Sequence, residues 1–246
     1  TWTMARARQQ DTMEANHQFV ESRGLVAKIP DAARALTLAV LVPLRHAAWG
    51  ANMNNTAICA YGWGTAFTAP AMFHAMDHGA AKYLTRLALA LDEPAVLDEA
   101  KRAWLDEPLW QVLRRTVEDT LVLSDPFELF VAQNLAIDGL LYPLVYGRFV
   151  DDHIAMQGGT AVAMLTAFMP EWHEESARWV DAVIKTAAAE SDDNRALLSH
   201  WAREWADRAQ AALAPVAQLA LGEPGEEVLH EVRAELDARC RKLGIA

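Results

Sequence analysis

Cysteine is nearly missing from this chain: Cys59 and Cys240 are the only two in 246 residues. They are too few and too far apart in sequence for a disulfide framework or a metal knuckle, which points to a reducing cytosol. Basic charge is scarce as well. With 22 Lys and Arg against 33 Asp and Glu the net charge is −11, and no run of Lys or Arg makes the patch that nucleic acid or an anionic membrane surface requires. Long apolar runs are also wanting. The longest, Ala35 to Leu44 and Ala161 to Met169, fall short of the roughly 20 residues of a membrane-crossing helix. No alternation of period two with β-branched enrichment is sustained, which excludes a sheet-based fold. The chain carries no signal-peptide pattern and opens on Thr1 inside a helical one, so an N-terminal portion is expected to precede it.

What is present is apolar helix. Hydrophobic residues make up 52% of the chain, ample for one large domain spanning 1–246. Residues 1–23 are charged and amphipathic, Gly24 can end that helix, and Pro30-Asp31 opens a second that runs to Tyr61 with Pro43 inside it. Proline there removes one ladder bond and predicts a kink or a local opening. Gly62, Gly64 and Pro70 punctuate a turn, and residues 71–91 resume at helical spacing. Pro94 and Pro108 start further helices, the second ending near Ser124. The central stretch follows: Asp125 can cap, Pro126 suits the first helical position, and Glu128 completes an Asp-x-x-Glu box. This helix, 125–149, is apolar nearly all the way round and needs partners on most sides. Gly147 and Gly158-Gly159 bracket its end. Thr160 to Lys185 is helical with an interruption at Pro170. Ser191 caps a helix to about Leu221, and Glu226–Lys242 reads as a charged surface helix.

Helical bundles commonly house a carboxylate-bridged two-metal site, built from two lone Glu and two Glu-x-x-His pairs on four helices. Only Glu14/His17 and Glu227/His230 keep that i, i+3 spacing here, and the second lies in the charged tail, where a solvated face is the better reading. Two apolar helices carry the pattern with proline in place of the acid: Pro43-Leu-Arg-His46 and Pro170-Glu-Trp-His173. Proline offers no lone pair. His46 and His173 therefore read as core or interface hydrogen-bonders, and Glu128 as the third residue of a capping box. His74 and His78, with Asp77 between them, have a spacing that can bind zinc, but Ala75 stands where a protease would carry its Glu. Asp151-Asp152-His153 resembles the start of an aspartate-rich diphosphate motif and lacks the further acid, since Ala155 holds its place. Gly158-Gly159 lacks the rest of a phosphate loop, and no Ser or Cys sits in a nucleophile-elbow or papain-like context. Trp49, Trp63, Trp172 and Trp179 suit either a core or a protein interface.

Taken together, Trp110-Gln111, Arg114, Glu118, the Asp125-Pro-Phe-Glu128 box and Ala132-Gln-Asn134-Leu135, with Leu44-Arg-His46 and Phe73-x-x-Met-Asp77 upstream, are similar to the β (small) hydroxylase subunit of bacterial soluble di-iron monooxygenases. These are the methane, toluene, phenol, propane and alkene monooxygenases. The resemblance covers roughly residues 1–190. It implies an all-α, ferritin-like bundle with 1–190 as the core and 191–246 as C-terminal helices. It also implies a partner α subunit that carries the di-iron centre and inserts one atom of O2 into a small hydrocarbon, alkane or alkene in preference to aromatic. A γ subunit, an effector protein and an NAD(P)H-dependent reductase with FAD and a 2Fe-2S cluster would complete the system around an α2β2 core. Against the α pattern, Pro43/His46 and Pro170/His173 fall at the two Glu-x-x-His pairs, and Glu14 and Glu128 near the lone glutamates. The resemblance thus implies no catalytic, cofactor or metal residue in this chain, whose helices 31–61 and 125–149 would cover an apolar face of α. The alternative is a free-standing di-iron oxidase holding metal with Glu14, His17, His46, Glu128 and His173.

Overall fold

The computed structural model describes residues 2–77 and 80–245. All of its regular structure among the described residues is helical, as composition and periodicity imply. We number the helices α1 (Trp2–Ser22), α2 (Asp31–Leu41), α3 (Leu44–Tyr61), α4 (Thr65–Asp77), α5 (Ala80–Leu91), α6 (Ala95–Asp106) and α7 (Pro108–Thr120). The long rod α8 (Pro126–Thr166) follows, then α9 (Phe168–Glu190), α10 (Asp192–Leu221) and α11 (Gly225–Leu243).

The rod is the axis of the fold. Asp125 caps it as its position predicts, with Oδ1 accepting from the backbone N–H of Phe127 at 2.7 Å and of Glu128 at 3.3 Å. One 18-residue window of the rod reaches a mean hydropathy of 1.3, yet 94% of that window is buried inside the chain. It is therefore a core helix, clad by α2, α3, α9, α10 and α11. Phe130, Leu140, Leu144, Phe149 and Ile154 are all fully enclosed. Burying side chains of this size contributes about 1.5–3 kcal/mol each.

Three boundaries differ from the sequence reading, each for a local reason. The rod runs through Gly147 to a break at Gln157-Gly158, the second of the two points expected to bracket its end, and helix resumes over Thr160–Thr166 beyond it. An interior glycine costs a helix only about 1 kcal/mol, which packing on every side outweighs. Within the rod, Val131–Ile137 and Pro143–Gly159 are wound as π-helix, a register that apolar periodicity does not reveal. The one departure from helical geometry comes at Gln157-Gly158, where Gly158 has φ +90° and a Cβ would lie 3.1 Å from Pro30. Pro70, expected in a turn, lies inside α4. Its ring removes a single backbone bond, and Phe67, Ala71 and Ala75 around it are buried in the core. The helix expected over 71–91 is divided between α4 and α5.

Both prolines of the altered Glu-x-x-His pairs mark helix starts. At Pro43 the helix opens locally, as foreseen: α2 ends at Leu41 and α3 starts at Leu44, while Val42 and Pro43 between them keep helical φ/ψ and His46 N–H bonds the Pro43 carbonyl three positions back at 3.0 Å. Pro170 is the third residue of α9, where its missing N–H would have had no helical acceptor anyway. Ser191 caps α10 as predicted, its Oγ accepting from Asn194 N–H at 3.0 Å. The last helix is more than a surface element, because Leu229, Val232, Leu236 and Cys240 form a buried stripe along it.

Candidate functional site

Of the five side chains considered as a nonstandard metal set, four have partners elsewhere. Glu14 lies on the surface of α1 and is gripped by both arms of the Arg86 guanidinium, at 2.6 and 2.8 Å. That hydrogen bond holds its carboxyl below the usual range. His17 lines a surface cavity with Arg86, and burial and that neighbouring cation together lower its pKa. His46 stacks on Trp104 with ring centroids 5.7 Å apart. Burial, then the charges of Arg45 and Lys101, push its pKa down to about 4, so the ring is neutral at pH 7. Glu128 accepts from Trp205 Nε1 at 3.1 Å, a contact spanning 77 positions that ties the start of α8 to α10. The capping box is therefore one-sided: Asp125 caps, while the Glu128 carboxylate turns to the indole. His173 stacks on Tyr142 at 5.0 Å and 7°.

Among the described residues, no three His, Cys, Asp or Glu side chains converge in a way that could hold a metal ion. The five residues do not converge on one point as a di-iron centre requires: Glu14 pairs with Arg86, Glu128 with Trp205, and the rings of His46 and His173 stack on Trp104 and Tyr142. His78, the second half of the suggested zinc pair, lies outside the described residues. His74 is buried against Trp172, ring centroids 4.9 Å apart. Asp152 lies 3.8 Å from Arg148, and His153 bonds Gln157 at 2.8 Å, as befits an exposed turn of helix. In the tail, His230 Nδ1 meets Gln210 Nε2 at 3.0 Å.

A polar seam that sequence reading missed runs through the core instead. Asn54 of α3 donates to Thr120 Oγ1 of α7 at 2.7 Å and to Gln133 Oε1 of α8 at 2.8 Å. Gln133 donates onward to Asp138 Oδ1 at 2.9 Å, and Asp138 Oδ2 lies 3.8 Å from His74 Nε2. Beside this chain Asn55 and Asn134 exchange a reciprocal pair of bonds at 3.0 Å. Every one of these residues is buried. The π turn explains the geometry: Asp138 N–H bonds the Gln133 carbonyl five positions back, which brings Gln133 and Asp138 onto one face, as an α-helix would not. The available signal was Gln, Asn and Asp at 133, 134 and 138 in an otherwise apolar helix. Buried amides that satisfy each other fix how α3, α7 and α8 meet. They offer neither a nucleophile nor an open metal position.

The sequence profile of the methane, phenol and alkene hydroxylases matches residues 1–191. The chain is also 46% identical over 247 residues to the oxygenase component DmpL of phenol 2-monooxygenase from Pseudomonas sp. (strain CF600), spanning 99% of this chain and 73% of that protein. This chain belongs to that hydroxylase family. Within it, the chain is a β-type hydroxylase subunit of the soluble di-iron monooxygenases. The hydroxylase subunit β of the toluene-4-monooxygenase system from Ectopseudomonas mendocina is 28% identical over 129 residues, covering 51% of this chain and 39% of its own. Among solved structures, phenol hydroxylase from Pseudomonas sp. OX1 superposes with a TM-score of 0.92 at 42% identity, over 98% of this chain and 74% of that one. Toluene 4-monooxygenase gives a TM-score of 0.80 at 19% identity over 94% of this chain and 74% of its own, a likeness of fold. The hydroxylase subunit thus shares the ferritin-like helical architecture of these enzymes.

The helix expected to cover the partner needs correction. Helix 125–149 has its apolar sides filled by this chain's own helices, so it offers no broad face to another subunit. The two Trp pairs also separate: Trp172 and Trp179 are packed into or against the core, whereas Trp49 is 61% and Trp63 90% exposed.

Proposed function

We propose that this chain is the metal-free bracing subunit of a multicomponent aromatic monooxygenase. A partner α subunit would carry the di-iron centre, and this chain would hold that partner in a heteromeric core of α2β2 type. Likeness to DmpL over 99% of the chain is the observation that carries this reading. It is supported by the geometry at Glu14, His46, Glu128 and His173, which turn to separate neighbours, Arg86, Trp104, Trp205 and Tyr142, and do not converge. The named relatives act on phenol and toluene, so the reaction is insertion of one atom of O2 into an aromatic ring or its substituent. That replaces the preference for alkanes and alkenes drawn from the sequence. The electrons would come from NAD(P)H through a reductase with FAD and a 2Fe-2S cluster, with an effector protein and a γ subunit completing a cytoplasmic system.

Within that complex the chain's own work is mechanical. The buried seam of Asn54, Gln133 and Asp138 locks three helices in register, and a rigid subunit can hold a reactive neighbour in shape without touching substrate. Co-expression with its α subunit should yield a complex in which iron follows the partner, of roughly twice this mass. The purified chain alone should bind no iron and hydroxylate no phenol. Two irons held by the isolated chain, with O2-dependent turnover, would instead establish the free-standing oxidase.

A further inference from the structure

Two surface cavities join into one trench along the side of the molecule bounded by α1, α2, α5 and α6. The first encloses about 490 Å³ between α2 and α6. Its floor is apolar, made by Leu38, Val96, Ala100, Leu109 and Trp110, and its rim carries four carboxylates, Asp31, Asp92, Glu99 and Glu107. The second, about 880 Å³, extends the trench past Val26 toward His17 and Leu165. Arg34 and Asp92 line both.

The charges around this trench are unbalanced. Among the described residues none of the four rim carboxylates has a Lys, Arg or His within ion-pair distance, whereas Glu14, Glu118, Glu235, Asp207 and Asp181 each pair with an arginine. Arg34 is the only basic residue lining the first cavity, and its Nη2 is taken by the Val26 carbonyl at 3.0 Å. Its Nε is buried without an acceptor. Arg86, in the second cavity, is held by Glu14. A small cation would gain nothing from the apolar floor. A second copy of this chain, at a net charge of −11, would approach with like charge. A peptide segment fits both the apolar floor and the acidic rim. It would set an apolar side chain over Trp110 and place Lys or Arg against Glu99 and Glu107.

We propose that this trench is a docking groove for a basic, apolar-anchored segment of the partner hydroxylase subunit. The proposal rests on the bracing role given above and adds where the partner is gripped. Two measurements on the intact hydroxylase test it. In the first, a carbodiimide joins carboxylates to lysines in direct contact, and mass spectrometry of the native complex should find Glu99 or Glu107 linked to a lysine of the iron-bearing partner. In the second, D92K/E99K/E107K should weaken association about tenfold at low salt, with the difference shrinking as salt is raised. Reversal of two exposed acids elsewhere, E174K/E223K, should change association little. The cross-link reads the wild-type protein, so it decides the matter even if the triple variant fails to fold. Cross-links to a second copy of this chain, or undiminished association with no link from the rim to the partner, would overturn the groove while leaving the subunit role intact. Failure of the wild-type chain to associate with any iron-bearing subunit would overturn both.

Discussion

Two groups of polar side chains carried by the apolar helices are handled in opposite ways. At the seam, Asn54, Thr120, Gln133 and Asp138 converge from α3, α7 and α8 and satisfy one another within 2.7 to 2.9 Å. At the positions that the resemblance sets against an iron site, the polar groups diverge: His46 to Trp104, His173 to Tyr142, Glu128 to Trp205 and Glu14 to Arg86. Neutral amides can be buried at modest cost once paired, whereas clustered carboxylates need a cation among them. A helical bundle that pairs its amides around a single buried acid, Asp138, and disperses the others is arranged for rigidity.

This contrast predicts a ladder of effects. Breaking the seam should cost most. Asn54→Leu leaves both Thr120 and Gln133 short of a partner in the core, which should destabilise the subunit by about 3 kcal/mol and lower its melting temperature by roughly 6–12 °C in a calorimetric scan. A loss within 1 °C would mean that the seam is incidental. Next comes the crossing of α3 over α7 beside it. A Cβ at Gly50 would sit 2.4 Å from Val117 Cγ1, and because Val117 is stiff about χ1, Gly50→Ala should cost about 1–3 kcal/mol. Combining it with Val117→Ala should recover part of that loss.

At the dispersed positions the effects should be small and conditional. His46 has its pKa pushed down to about 4 by burial, below the ordinary imidazole value of about 6.5. The unfolded chain therefore takes up a proton first as pH falls. His46 contributes no pH dependence above about 6.5; its contribution erodes stability from there down to about 4 and is flat below. Denaturant titrations of His46→Gln against the parent over this range should show the variant losing less. Equal slopes would mean that the ring is not buried as neutral imidazole. The smallest effect is expected where the resemblance to an iron site is most suggestive. Pro43→Glu with Pro170→Glu restores both acids on paper, yet elemental analysis should find no iron gained, since Glu14 stays with Arg86 and Glu128 with Trp205. Stoichiometric iron in that variant would show the two regions to be less different than they look.

Much of the fold was legible from local chemistry. Asp125 and Ser191 cap where short acceptor side chains precede helical runs, Pro43 opens a helix locally, and an all-round apolar stretch becomes the central rod. The features that escaped notice depend on contacts distant in sequence. Nothing near Pro70 announces that packing will carry a helix through it, and the bond from Trp205 to Glu128 crosses 77 positions. The candidate site divided along the same line. Proline in place of two acids was visible in the sequence, whereas Asn54 and Asn55 became meaningful only when α3 was laid against α8.

The π winding of the rod has a bearing on what changes this subunit can tolerate. A stretch that closes its hydrogen bonds over five positions holds an additional residue relative to an ordinary helical turn, and Val131–Ile137 is such a stretch. Removing one residue there would leave a perfectly acceptable helix and yet turn everything beyond it by about 100°. The apolar sides that fit five neighbouring helices would then all face the wrong ones. Side-chain exchange along this segment is therefore a matter of degree, while a change in its length is all or nothing.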